Sequence, residues 1–254
     1  MPFIPQAKGF FPHRIPGAWT PLQLAGLRLW LDSSDAATVH LSGPLVTQWD
    51  DKSGQANHAS QAAATSRPVY SGGLLGILFD GINDFLEFAD SLFTYTGAGT
   101  AFFVVQVNAV LPGGYGAPLA EQGGVNQSIA FPVQHYPDAA VEFCTDVYSP
   151  GGMRFNATKS LGTPYLVTYT WTNWSAHKTN GNTQVRVSGV AGSIVAFGTD
   201  PAGFTSTLKR VGAFGLDGGS YLNGAVMEII VCNQAVGGSA ITSAEAYLTA
   251  KWAL

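Results

Sequence analysis

From Leu27 onward, apolar residues gather in short segments separated by Gly, Pro, Asn, Asp and Ser, and several segments alternate with the two-residue rhythm of a strand. This pattern predicts strands at 27–31, 46–49, 76–79, 85–88, 101–107, 128–133, 140–144, 153–157, 165–171, 183–187, 209–214 and 225–231. In 165–171, Tyr165, Val167, Tyr169 and Trp171 share one face while Leu166, Thr168 and Thr170 share the other, the pattern of a half-buried strand. Asn180 and Gly181 both tolerate positive φ, which predicts a tight hairpin turn. The segment 225–232 is apolar on both faces except at Glu228, which predicts a central strand with a buried carboxylate. A buried carboxylate with a raised pKa could act as a general acid, but no acid can be placed opposite Glu228 from the sequence, so backbone or Trp N–H groups are its expected partners. Near the C-terminus the rhythm becomes helical through Ile241, Ala244, Leu248 and Trp252. Thr242 with Glu245 reads as a capping box, so a helix is expected over 242–254, packed on the strands.

Residues 1–25 follow neither rhythm. Prolines at 2, 5, 12, 16 and 21 prevent helix and central strand, so an extended arm is expected. The arm carries Phe3, Ile4, Phe10, Phe11, Ile15 and Trp19, more apolar surface than a solvated tail, and these six are the candidate partner-binding residues. The expected organisation is this arm followed by one domain over 26–254.

Composition narrows the class. Of 254 residues, 46% are hydrophobic and 11% charged, with 31 Gly and 14 Pro, a balance that disfavours disorder and coiled coil and suits a turn-rich β protein. A net charge of −4 without a basic stripe argues against nucleic acid. The longest apolar run in the uncharged stretch 91–120 is Ala101–Val105, too short to cross a bilayer, so no membrane partner is expected. The N-terminus lacks the charged start and unbroken apolar centre of a secretory signal, so synthesis in a cytoplasm is expected. Cys144 and Cys232 then read as buried reduced thiols, and the sequons at Asn126, Asn156 and Asn173 as chance matches.

Several motifs resemble a known family. Leu29-Trp30-Leu31-Asp32-Ser33-Ser34-Asp35-Ala36, Trp49-Asp50-Asp51-Lys52-Ser53-Gly54 with Asn57-His58-Ala59, Arg67-Pro68 and Phe79-Asp80-Gly81 with Asn83-Asp84 resemble the opening of laminin-G-like, concanavalin A-like jelly rolls. Leu222-Asn223-Gly224, Glu228-Ile229-Ile230-Val231 and Tyr247-Leu248 to Leu254 resemble the closing strand and helix of that group. The resemblance covers about 27–90 and 220–254 and implies an all-β, two-sheet antiparallel jelly-roll sandwich, here with an extended N-terminal arm and a short C-terminal helix. Such domains are common in bacteriophage virion proteins and bacterial surface proteins, so the resemblance leaves the role open. Within these motifs Asp32 and Asp35 read as local caps of a short turn, Trp30 and Trp49 as wedges between the two sheets, and His58 as a hydrogen-bonded turn residue.

Candidate chemistry is sparse. Asp80, Asn83 and Asp84 place three side-chain oxygens within five residues, a weak candidate for Ca²⁺, although the same residues are ordinary turn formers. Glycoside hydrolysis needs two carboxylates projecting to one site, and none of the five Glu (87, 121, 142, 228, 245) has an acid two residues away. Glu142 and Asp146 could share a face only if their strand ran on toward Pro150. No nucleophile or phosphate-loop motif is present, so no catalytic residue, and apart from calcium no cofactor, is expected. Trp174, Tyr115, Tyr136 and Tyr148 are candidate sugar-stacking residues. The expected function is a non-enzymatic component of a bacteriophage virion surface, a capsid decoration protein or a tail or fibre part. Its partners would be other virion proteins, with self-association as a further contact, and its location the virion. The alternative is a lectin-like domain recognising a host-surface glycan.

Overall fold

The computed structural model describes residues 19–72, 75–109, 115–124, 127–131, 133–136, 140–149, 151–155, 159–176, 182–192, 194–196, 207–214 and 220–254. Among them the chain forms a large antiparallel β sandwich with one C-terminal α-helix. The elements that carry the argument are β1 (Leu27–Asp32), β2 (Val39–Ser42), β3 (Leu45–Trp49), β4 (Ile77–Asp80), β5 (Gly99–Ala109), β6 (Pro164–Trp171), β7 (Thr183–Val187), β8 (Asn223–Cys232) and α1 (Gly238–Trp252).

The first layer runs β4, β8, β5, β6, β7, with β1 beside the C-terminal half of β8. The second layer runs from Gln127–Ala130 through Ala120–Gly124, Leu208–Val211, Leu86–Glu87 and Ala59–Ser60 to β3, and Val69–Tyr70 joins the two layers. Inward side chains of both form one core: Phe103, Val105, Val167, Tyr169 and Ile229 from the first layer meet Val46, Trp49, Leu86, Ile129 and Val211 from the second. Phe131 sits among Phe93, Phe103, Tyr169, Trp171 and Trp174, ring centroids 4.9–5.8 Å apart, in the tilted and edge-on contacts that aromatic quadrupoles favour.

β8 is the central strand that its apolar faces predict. It pairs with β5 along its length and, on its other edge, with β4 at Asn223–Val226 and with β1 at Glu228–Cys232. The partner changes at Met227, where the ladder bulges. There the Met227 carbonyl accepts Ser33 N–H at 3.0 Å and Ser33 Oγ at 2.7 Å, so it stays satisfied while the edge changes hands. Gly76 turns into β4 with φ +71°, and a Cβ there would stand 2.6 Å from the Val226 carbonyl, so this approach excludes any side chain.

The outer face of the first layer is covered by α1, which buries Ile241, Ala244, Leu248 and Trp252 against Trp30, Phe102, Val104, Leu166, Ile230 and Cys232. Leu29 and Leu31 face the core, so Trp30 between them must face the helix. Trp49 does lie between the sheets, whereas Trp30 does not. β6 is likewise buried on both faces rather than one, because α1 covers Leu166 and Thr168.

Two further expectations are corrected. The helix begins at Gly238 with Gly237 as its N-cap, four residues before Thr242, and no capping box forms. Thr242 Oγ1 instead donates to the Gly238 carbonyl at 3.0 Å inside the first turn. Glu245 is buried and accepts from Thr168 Oγ1 (2.9 Å) and in bidentate fashion from Arg186 Nε (2.8 Å) and Nη2 (3.0 Å), which ties the helix to β6 and β7. The early start was hidden by Gly237 and Gly238, which are poor helix formers. The hairpin between β6 and β7 exists, but pairing stops at Trp171 with Thr183, and Trp174–Ala176 forms a short 3-10 turn within the connection. Asn180 and Gly181 lie outside the described residues.

Trp252 is 4% exposed. Trp252→Ala, or removal of residues 251–254, is expected to destabilise the domain by about 3–5 kcal/mol, the usual cost of deleting a buried aromatic, read as a lower urea midpoint. An unchanged midpoint would show that α1 is dispensable to the sandwich.

Candidate functional site

Glu228 meets an acid after all. The β1–β8 register places Asp32 directly across from it, 3% and 0% exposed respectively. Two lysines, from a turn after β3 and from the last turn of α1, complete an alternating chain: Asp35 to Lys52 (2.8 Å), Lys52 to Asp32 (2.8 Å), Asp32 to Lys251 (2.6 Å) and Lys251 to Glu228 (2.7 Å). The indole N–H groups of Trp30 and Trp252 each donate to Glu228 at 2.7 Å, as the sequence reading anticipated in kind. The Lys52 ammonium also lies 4.4 Å from the Trp30 ring centroid.

Burial opposes ionisation of Asp32, but the Lys251 and Lys52 ammoniums outweigh it and hold its carboxyl below the usual range. For Glu228 burial dominates and pushes the carboxyl up; Lys251 opposes the shift, while Asp32 adds to it. Burial and the nearby acids Glu228 and Asp32 also raise the Tyr247 phenol. Glu228 thus faces Lys251 and two indole donors and Asp32 faces Lys52 and Lys251, an arrangement that ties β1, β8 and α1 together. Asp32 also accepts from Ser34 N–H (3.1 Å) and Oγ (2.6 Å), the local role expected of it, whereas Asp35 makes no side-chain cap and points to Lys52.

The neighbouring Trp49–Gly54 motif braces the free edge of β1. Asp51 Oδ1 accepts Trp30 N–H at 2.9 Å, and Lys52 N–H donates to the Trp30 carbonyl at 2.8 Å, so a side chain and a loop replace the missing strand. His58 is the expected turn histidine: its Nδ1 accepts Asp51 N–H at 3.0 Å. The β2–β3 pairing also brings His40 to Asp50, Nε2 to Oδ2 at 2.7 Å, with His58 Nδ1 3.4 Å from the other oxygen. Eighteen residues separate these histidines in the chain, so their meeting is a product of the hairpin.

At the calcium candidate, Asp80 Oδ1 accepts Ile82 N–H (2.8 Å) and Asn83 N–H (3.2 Å), and Asp84 Oδ2 accepts Asp80 N–H (3.1 Å). Asn83 is half-buried. These bonds hold an Asx-type turn around Gly81, whose φ is +78° and whose added Cβ would stand 2.7 Å from Asn223 Cβ. Among the described residues, no group of three or more His, Cys, Asp or Glu side chains is arranged to hold a metal ion.

Trp174 cannot stack on a sugar, because it is 0% exposed in the aromatic core. The strand that carries Glu142 runs through Ala140–Ser149, past Asp146, and does not end at Cys144 as expected, so its length does not separate the two acids. The side chains of Tyr115, Tyr136, Tyr148, Glu142, Asp146 and Cys144 lie outside the described residues. Cys232 is buried with a free thiol pushed up to about 12 by that burial. Of the arm, Phe3, Ile4, Phe10, Phe11 and Ile15 lie outside the described residues. Trp19 is half-buried against α1 of its own chain, 5.4 Å from the Tyr247 ring centroid. Among the described residues, no helix is long and apolar enough to cross a membrane.

No protein-family model and no curated protein matches this chain. Solved structures resemble it in fold. A Trypanosoma rangeli sialidase superposes with a TM-score of 0.59 at 15% identity over 91% of this chain and 34% of that one, so this chain spans about a third of the sialidase. Domain 4 of an extracellular GH43 arabinanase from Geobacillus stearothermophilus, in complex with arabinotriose, matches at 0.51 and 14% identity over 86% of this chain and 97% of that one. A botulinum neurotoxin type C structure matches at 0.51 and 12% identity over 88% and 51%. At these identities the likeness is one of fold alone, and it agrees with a concanavalin A-like sandwich.

Burial and then the Asp80 charge raise Asp84 from 3.8 to about 6. Between those values the folded chain keeps a proton that the unfolded chain has lost. This group therefore contributes most to stability below about pH 4, and its contribution declines as pH rises to about 6. Asp84→Asn should remove the decline, so the stability advantage of wild type over the variant shrinks across that window in urea titrations. A pH-independent difference would contradict the assignment.

Proposed function

We propose that this chain is a non-enzymatic structural component of a bacteriophage virion surface, a capsid decoration protein or a tail or fibre part, held to neighbouring subunits through the part of the 1–25 arm that precedes Trp19. The observation that carries the reading is the contrast between the two parts of the chain. Three buried carboxylates of the sandwich are partnered within the chain: Glu228 by Lys251 and the Trp30 and Trp252 indoles, Asp32 by Lys52 and Lys251, and Glu245 by Arg186. The arm has apolar groups in excess, and its prolines restrict it before docking, so it loses little entropy on binding a partner. The described structure begins with Trp19 half-buried on α1, which gives the arm a fixed root.

A second reading, a carbohydrate-recognition module, is favoured by one observation. The arabinanase domain that this chain matches over nearly its whole length was solved with arabinotriose bound. The two readings are compatible, since a virion surface protein can also recognise a glycan.

Deleting residues 1–18 tests the first reading, because Trp19 and the sandwich remain. The truncated protein is expected to fold with wild-type melting yet to be lost from purified particles. Incorporation at the wild-type level would refute attachment through the arm.

A further inference from the structure

On the second layer the outward face carries a cluster that the fold does not require. Val211 and Leu86 point inward and are 0% exposed, so their neighbours Arg210 and Glu87, paired across the two strands, point outward. Arg210 Nε donates to Glu87 Oε1 at 3.0 Å, and the guanidinium carbon lies 4.3 Å from the Phe85 ring centroid. The Tyr221 ring stands 6.5 Å from Phe85 with its plane tilted by 31°. Both rings are half-buried, and neither belongs to a buried apolar cluster.

The backbone holds this cluster firmly. Phe85 N–H donates to the Ser66 carbonyl at 3.1 Å, and the Phe85 carbonyl accepts Gln61 Nε2 at 3.2 Å. Beside Tyr221, Leu222 N–H donates to the Gly212 carbonyl at 2.8 Å. The backbone beneath both rings is therefore held in place, so little backbone entropy is left to lose on binding.

The polar groups select the ligand class. Arg210 and Glu87 neutralise one another, so the patch presents donors and acceptors side by side without net charge. A carboxylate or phosphate would meet Glu87, whose side chain is 47% exposed, and a cation would meet the edge of Arg210, whose side chain is 17% exposed. A neutral sugar suits both. Its vicinal hydroxyls can donate to the carboxylate and accept from the guanidinium in charge-assisted bonds, while its C–H face packs on an aromatic ring. We propose that Phe85, Tyr221, Arg210 and Glu87 form a subsite for a neutral oligosaccharide, an inference that rests on the carbohydrate-recognition reading.

The test presents the full chain with arrayed arabino-, xylo-, gluco-, manno- and galacto-oligosaccharides of three to five units, together with sialyllactose. At least one neutral oligosaccharide is expected to bind. Phe85→Ala and Tyr221→Ala should each weaken that binding about tenfold. Glu87→Gln, at an exposed position that leaves the fold intact, should weaken it as well. Neutral binding that all three variants leave unchanged would overturn this subsite while keeping the carbohydrate reading, as would binding of sialyllactose alone. Binding to no glycan would overturn both.

Discussion

A carboxylate in the middle of the central strand is the constraint around which this sandwich is arranged. Glu228 is 0% exposed, with β5 on one side and β1 on the other, and an unpaired charge there would be prohibitively unfavourable. Its partners come from elements far apart in sequence, Trp30 on β1 and Lys251 with Trp252 on α1, so satisfying one side chain fixes where the edge strand and the helix lie. Asp32, Lys52 and Asp35 extend the chain of alternating charge to the protein surface, where Asp35 is more open to solvent. A buried ion chain is weak evidence of net stability, since well-packed apolar residues can serve as well. Its effect here is specificity, because an α1 shifted by one turn would leave Lys251 and Trp252 without Glu228.

The helix and this ion chain divide the molecule. One outer face is closed by α1 and, through Trp19, is the face from which the N-terminal segment starts. On the outward face of the other layer, no helix among the described residues covers Arg210, Glu87 and the Phe85 and Tyr221 rings. Attachment and recognition thus fall to different faces in the proposed account, so one can be lost without the other. Glu228 and Tyr247, whose acidic groups burial pushes up, are on the closed face and serve its architecture.

Strand positions were legible because alternation survives in the sequence: Tyr165, Val167, Tyr169 and Trp171 do line one face of β6, and Glu228 does interrupt an otherwise apolar β8. The kind of partner Glu228 would need was also legible, since a buried carboxylate demands N–H donors. Which donors, and the acid opposite, were not, because the pairing of Asp32 with Glu228 is set by a register between strands nearly two hundred residues apart. The size of Trp30 suits a wedge between sheets, but the parity of Leu29 and Leu31 puts it on the opposite face, under α1. Thr242 and Glu245 had the spacing of a capping box, but Glu245 found stronger partners in Arg186 and Thr168, and tertiary contacts overrode the local motif. The Phe85, Tyr221 and Arg210 cluster left no sequence signal, since three separate segments supply it.

The central claim, that Glu228 holds α1 in place, is tested most directly by amide hydrogen exchange along α1 in Glu228→Leu. Leucine leaves the Trp30 and Trp252 indole N–H groups without their acceptor and Lys251 with Asp32 alone, and breaking a buried pair in this way costs about 3–5 kcal/mol. The account predicts that α1 amides exchange roughly a hundredfold faster or more while those of β5 and β6 keep their protection. Unchanged protection across α1 would contradict it, and would mean that the apolar stripe alone positions the helix.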